Sequence, residues 1–138
     1  MNIVSIKKEN IHLLKTFIEH IGIAGETFRY FNKRSVEVIN NHLITLVLLE
    51  NDIPVGYGHL EPENDIFWLG ICVLPAFSGK GYGKNMMNAL IERAKELKLT
   101  SITLTVDRQN TVAIKLYEQF NFKIETVHKN YYKYVLTF

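Results

Sequence analysis

The chain has 138 residues, 47% hydrophobic and 22% charged, the size and balance of one globular domain, 1–138, able to bury a core without staples. Sixteen basic against 14 acidic residues leave a net charge of +2, too near neutral to argue for a nucleic-acid partner. The single cysteine, Cys72, excludes an internal disulfide and a cysteine-only metal site, and no run of 18 apolar residues is present to cross a membrane.

The opening MNIVSIKKENIHLL is broken by polar residues too early for a secretory leader, so a soluble, cytoplasmic domain is expected. In NIHLLKTFIEHI, Ile11, Leu14, Phe17, Ile18 and Ile21 recur at helical spacing and predict an amphipathic helix. Gly22 and Gly25 loosen the chain before ETFRYFNKR, an aromatic and basic segment without clear periodicity. LITLVLLENDIPVGYGHLE reads as two strands about a turn at Asn51-Asp52, and DIFWLGICVLP as a third strand stopped at Pro75. After FSGKGYGKNMM, a stripe of Met86, Met87, Leu90, Ile91, Ala94 and Leu97 predicts a helix. SITLTV is a short strand, Val112 to Phe120 a further helix, and FKIETV and YYKYVLTF are terminal strands. The order predicts an α+β domain with a mixed sheet and helices on its faces. The last apolar strand is open to pairing in its own sheet or across a homodimer.

A strand, a glycine-rich turn and a helix start form an anion site, because the first helix amides lack internal partners and the dipole favours negative charge. Gly79, Gly81 and Gly83 remove the Cβ atoms that would hold a phosphate away, and successive N–H groups cradle a diphosphate as a nest. Lys80 and Lys84 add charge. A P-loop fails on Ser78 and Asn85, and a Rossmann fingerprint fails on Lys84, although Asp107 stands about where a ribose-binding acid would.

VLPAFSGKGYGKNMMNALIERAKE resembles the acyl-CoA-binding segment of the GNAT superfamily of N-acetyltransferases, and RQNTVAIKLYEQFNFK resembles the segment that follows it there. The resemblance covers most of Trp68 to Lys123, with departures at Ser78 (usually Gln or Arg) and Asn121 (usually Gly). It implies a GNAT-like, mostly antiparallel sheet with splayed central strands, no metal, and transfer of an acetyl group from acetyl-CoA to a primary amine. Ile71, Cys72 and Val73 would hold the pantetheine and polarise the thioester. Ser78 to Lys84, Tyr82 included, would cradle the diphosphate. Asn110 would contact the cofactor or cap a helix, and Tyr117 would protonate the departing thiolate or serve as a core aromatic.

The attacking amine must be neutral, which at pH 7 costs a lysine-like amine roughly 4–5 kcal/mol and an α-amine about 1 kcal/mol. His59, Glu61, Glu63 and Asp65 are the candidate bases, with His59 preferred for a pKa near neutrality. Cys72, in an apolar strand, reads as core rather than nucleophile. The acceptor is expected to be a small-molecule amine held by Phe28, Arg29, Tyr30, His59 and Glu61. Aromatic stacking with Arg29, Lys33 and Arg34 suits a nucleotide-linked amino sugar, whereas EPEND would suit a polyamine. A peptide N-terminus, or CoA binding without catalysis, stays open.

Overall fold

The computed structural model describes Met1–Phe138. Strand β1 (Asn2–Ser5) precedes helix α1 (Ile11–Glu19), and a long connection with short 3-10 turns leads to β2 (Ile44–Glu50), β3 (Ile53–Glu63) and β4 (Ile66–Val73). Helix α2 (Tyr82–Glu96), β5 (Ser101–Asp107), α3 (Thr111–Gln119), β6 (Lys123–Val127) and β7 (Tyr131–Thr137) complete the chain. The seven strands form one sheet in the order β1-β2-β3-β4-β5-β7-β6. Every neighbouring pair is antiparallel except β4 and β5. This is the mixed, mostly antiparallel α+β sheet expected; a dinucleotide-binding fold, with its parallel sheet, is not what the chain forms. Strand β7 lies between β5 and β6 in its own sheet. No helix is long and apolar enough to cross a membrane.

Each side of the sheet carries its own core, which explains why ITLVLL is apolar at every position but Thr45. Leu46 and Leu48 of β2 pack with Met86, Met87 and Leu90 of α2, while Val47 and Leu49 pack with Leu14 and Phe17 of α1. A strand covered on both faces loses its polar alternation. Of the predicted α2 stripe, Met86, Met87, Leu90 and Ala94 are buried, but Leu97 is the C-cap and 44% exposed.

The hairpin turns at Asn51 (φ 51°) and Asp52 (φ 67°), the left-handed pair of a type I′ turn that such residues tolerate. Its register then slips: Leu48 faces Gly56 while Leu49 faces Pro54, leaving Val55 as a bulge. Past this bulge Gly58 and Leu60 face α2, and Tyr57 joins the α1 core. By strand alternation His59 and Glu61 follow Tyr57 on that side, where the site is built. Asn121, expected to keep a left-handed turn after α3, has φ 70°.

Candidate active site

The parallel partners β4 and β5 meet in register at Trp68 and Thr103, near the start of β4 and the middle of β5. Beyond that pair they diverge, so the β5-facing edge of Ile71, Cys72 and Val73 has no ladder partner. The opening is the mouth of a cavity of about 1080 Å³. Its walls include those three residues, Ser78, Gly79, Gly81, Tyr82, Gly83 and Lys84 from the glycine turn, Asn110 and Tyr117 from α3, and Phe28, Arg29, Tyr30, His59 and Glu61 from the α1 side. Of the residues singled out in the sequence for the site, Lys33 and Asp65 are not in this lining, nor is Lys80. The Lys80 ammonium instead meets Glu50 at 3.2 Å, to which the Tyr82 hydroxyl also donates.

Gly79 (φ 78°) and Gly81 (φ 81°) adopt the left-handed backbone that favours glycine. Gly81 is the N-cap of α2, and no side chain caps that helix. In α3, by contrast, the Asn110 side chain accepts from the Ala113 amide at 3.3 Å; the N-cap reading of Asn110 is therefore realised. The first α2 amides have no intrahelical acceptor and open toward the cavity, the arrangement that fits a diphosphate. Ser78 spends its hydroxyl proton on the Pro75 carbonyl at 2.8 Å, holding the turn.

Tyr117 and Cys72 both line this cavity. Burial, and after it the neighbouring Cys72, pushes the Tyr117 phenol well above its ordinary range, so it stays protonated. Burial pushes the Cys72 thiol up to about 12, which leaves no thiolate for covalent catalysis. Cys72 is a core residue, as read from the sequence.

On the side of the cavity expected from the sequence to hold the acceptor, the structure joins residues far apart in the chain. Arg29 grips Asp107 with two hydrogen bonds, 3.0 and 3.2 Å, and Arg34 lies 4.4 Å over the Tyr30 ring while donating to the Tyr30 carbonyl. Phe31 is buried in the α1 core. The Tyr30 hydroxyl donates to Glu61 Oε1 at 2.9 Å and lies 2.6 Å from His42 Nε2, whose Nδ1 meets Thr45 Oγ1 at 2.8 Å. His59 Nδ1 meets the Tyr57 hydroxyl at 2.6 Å. His42, Thr45, Tyr57 and the Asp107 partner of Arg29 were not singled out from the sequence as parts of this acceptor network. The register pairing Thr45 with His59 would have linked them, but it depends on the bulge at Val55.

One expectation is corrected. His59 does not have a pKa near neutrality: it is 2% exposed, and desolvation, reinforced by His42 and Arg34, pushes it well below the ordinary imidazole value. Its ring lies against Gly70, its cross-strand partner, where an added Cβ would stand 2.4 Å from Cε1. Because the obstructing atoms belong to a rigid ring, Gly70→Ala is expected to destabilise the fold by about 1–3 kcal/mol through overpacking. The urea midpoint measures this; an unchanged midpoint would mean that the ring moves freely.

The model of the Acetyltransferase (GNAT) family matches residues 12–122. The uncharacterized N-acetyltransferase YycN of Bacillus subtilis is 33% identical over 106 residues, 73% of this chain and 67% of that protein. The ribosomal protein bS18-alanine N-acetyltransferase of Haemophilus ducreyi is 39% identical over 62 residues, 45% of this chain and 43% of that protein. That match spans less than half of the Haemophilus relative. A GNAT-family acetyltransferase of Streptococcus pneumoniae shares the fold with TM-score 0.83 at 18% identity, covering 99% of each chain. The PaiA N-acetyltransferase of Thermoplasma acidophilum, solved in complex with coenzyme A, does so with TM-score 0.79 at 18% identity over 100% of each. The chain therefore belongs to the GNAT family of acetyltransferases.

Proposed function

We propose that this protein moves an acetyl group from acetyl-CoA to a primary amine by direct attack, without an acyl-enzyme. The observation that carries the reading is the coincidence, in one cavity, of the diverging β4–β5 edge, the uncapped α2 start and the Tyr117 phenol. The bound thioester supplies the activated acetyl group. The free backbone edge at Ile71, Cys72 and Val73 aligns the pantetheine and polarises the carbonyl, the glycine turn and Lys84 hold the diphosphate, and Tyr117 donates toward the leaving sulfur. Glu61 takes the proton of the amine, since its carboxylate lines the cavity while burial disfavours protonation of His59 and makes it a weak base.

The acceptor chemistry follows from which groups are unspent. Arg29 is tied to Asp107 and Arg34 to Tyr30, so two of the three cations offered to a nucleotide-linked amino sugar are engaged within the protein. Glu61 and Glu63 in the cavity wall favour an acceptor that arrives as an ammonium. A peptide α-amine is a second reading, supported by the likeness to proteins named as bS18-alanine N-acetyltransferases. Release of free CoA thiol, followed across peptides, polyamines and nucleotide amino sugars, tests the proposal. Thiol release with at least one amine is expected. Measurable CoA binding with no release from any of them would leave only a CoA-binding module.

A further inference from the structure

The Tyr57 side chain is fully buried, and the one hydrogen-bond partner of its hydroxyl is His59 Nδ1, at 2.6 Å. A sealed hydroxyl that keeps its proton to itself forfeits its hydration without return. Tyr57 therefore donates, His59 Nδ1 accepts, and the neutral imidazole carries its hydrogen on Nε2. That Nε2 makes no hydrogen bond within the protein, yet Arg93 Nε is the one sealed side-chain nitrogen or oxygen that lacks a hydrogen bond. The His59 Nε2–H is thus open to the cavity that His59 lines.

The ring cannot easily turn away. Gly70 abuts it on the next strand, His42 stacks on it at 4.3 Å and 27°, and the Tyr30 ring lies 4.4 Å off. The same accounting orders the neighbouring chain. Buried Thr45 donates to His42 Nδ1, His42 Nε2–H donates to Tyr30, and Tyr30 donates to Glu61. One ligand atom each from His42, His59 and Glu61 fall within 4.8 Å of one another. Both imidazoles nevertheless keep their lone pairs turned to Thr45 and Tyr57, so this group of residues is assigned to an organic ligand rather than a cation.

We propose that His59 is a tautomer-locked hydrogen-bond donor that reads an oxygen placed next to the acceptor amine, and so sets acceptor specificity. This rests on the acetyl-transfer reading above. Glu61 wants the ammonium; His59 wants an acceptor atom a short step away. An α-amino carbonyl, as at a peptide N-terminus, offers both within one residue, whereas a polyamine offers only donors.

Two measurements on the full chain test this. Nitrogen NMR of histidine-labelled protein is expected to find His59 protonated at Nε2 and bare at Nδ1, and the Tyr57→Phe variant is expected to lose that preference. A proton on Nδ1 in the wild type overturns the proposal whatever the enzyme acetylates. In steady-state assays, His59→Phe is expected to raise KM for glycinamide about tenfold, the worth of one hydrogen bond, and to leave ethylamine within twofold. His59→Gln, which restores an N–H near the Nε2 position, is expected to recover most of the glycinamide KM. Equal losses for both acceptors overturn the specificity role. If no amine releases CoA, the acetyl-transfer reading falls and the acceptor role with it, while the NMR result still decides the tautomer.

Discussion

Tyr117→Phe is expected to lower kcat about 100-fold while acetyl-CoA affinity stays within about twofold, the signature of a group that acts as the thiolate leaves. The acid must be protonated when needed and matched to the group it serves. Burial keeps the phenol protonated, but a phenol is a poor donor to an ordinary thiolate, whose conjugate acid has a pKa of about 8.5. The wall of the cavity changes that comparison. Cys72 lies there, and its thiol is pushed up to about 12 by burial alone. A CoA sulfur departing into the same surroundings loses hydration in the same way, so its basicity rises toward that of the phenol and proton donation ceases to be steeply uphill. Stopped-flow or steady-state thiol release gives kcat, and calorimetric titration of the variant gives CoA affinity. Unchanged turnover in Tyr117→Phe would reduce Tyr117 to a core aromatic packed on Phe122.

What could be read in the amino-acid sequence was what local physics controls. The stripe from Met86 to Ala94 and the glycine turn before it carry their meaning within a few residues, and so does the Asn51-Asp52 hairpin. Strand β1 carries no signal in the sequence, because NIVS is four residues with no alternation to mark it; it exists through pairing with β2. Helix α1 ends at Glu19 rather than running to Ile21, since Gly22, at φ 51°, lies just beyond and the last residues form a turn. The acceptor side was harder for a different reason. Its contacts join Arg29 to Asp107, Tyr30 to Glu61 and Tyr57 to His59, and the first two span the chain's long-range topology. The bulge at Val55 decides which face Tyr57 joins; a count from the hairpin turn without it puts these side chains against α2. Lone histidines such as His42 carry no signal of their own until that register is known.

Glu61→Gln is expected to act unequally on different amines, and the inequality identifies its role. An alkylamine with a pKa near 10.4 needs roughly 4–5 kcal/mol to reach its neutral form at pH 7, and an α-amine about 1 kcal/mol. If Glu61 accepts that proton during attack, its loss should cost about 100-fold in kcat/KM for the alkylamine and much less for glycinamide. Raising the pH should restore the variant, because solution then supplies the neutral amine that the carboxylate no longer makes. Gln keeps the shape and can still receive the Tyr30 hydrogen bond through its carbonyl oxygen, so the His42–Tyr30 arrangement is preserved and the change is one of charge and basicity. The decisive readout is the pH dependence of kcat/KM for the two amines in both proteins. A uniform loss that alkaline pH does not repair would make Glu61 a binding group for the ammonium instead. His59→Phe should show neither acceptor-dependent rescue by pH nor a shift of the profile, since an imidazole whose lone pair is taken by Tyr57 removes no proton from the amine.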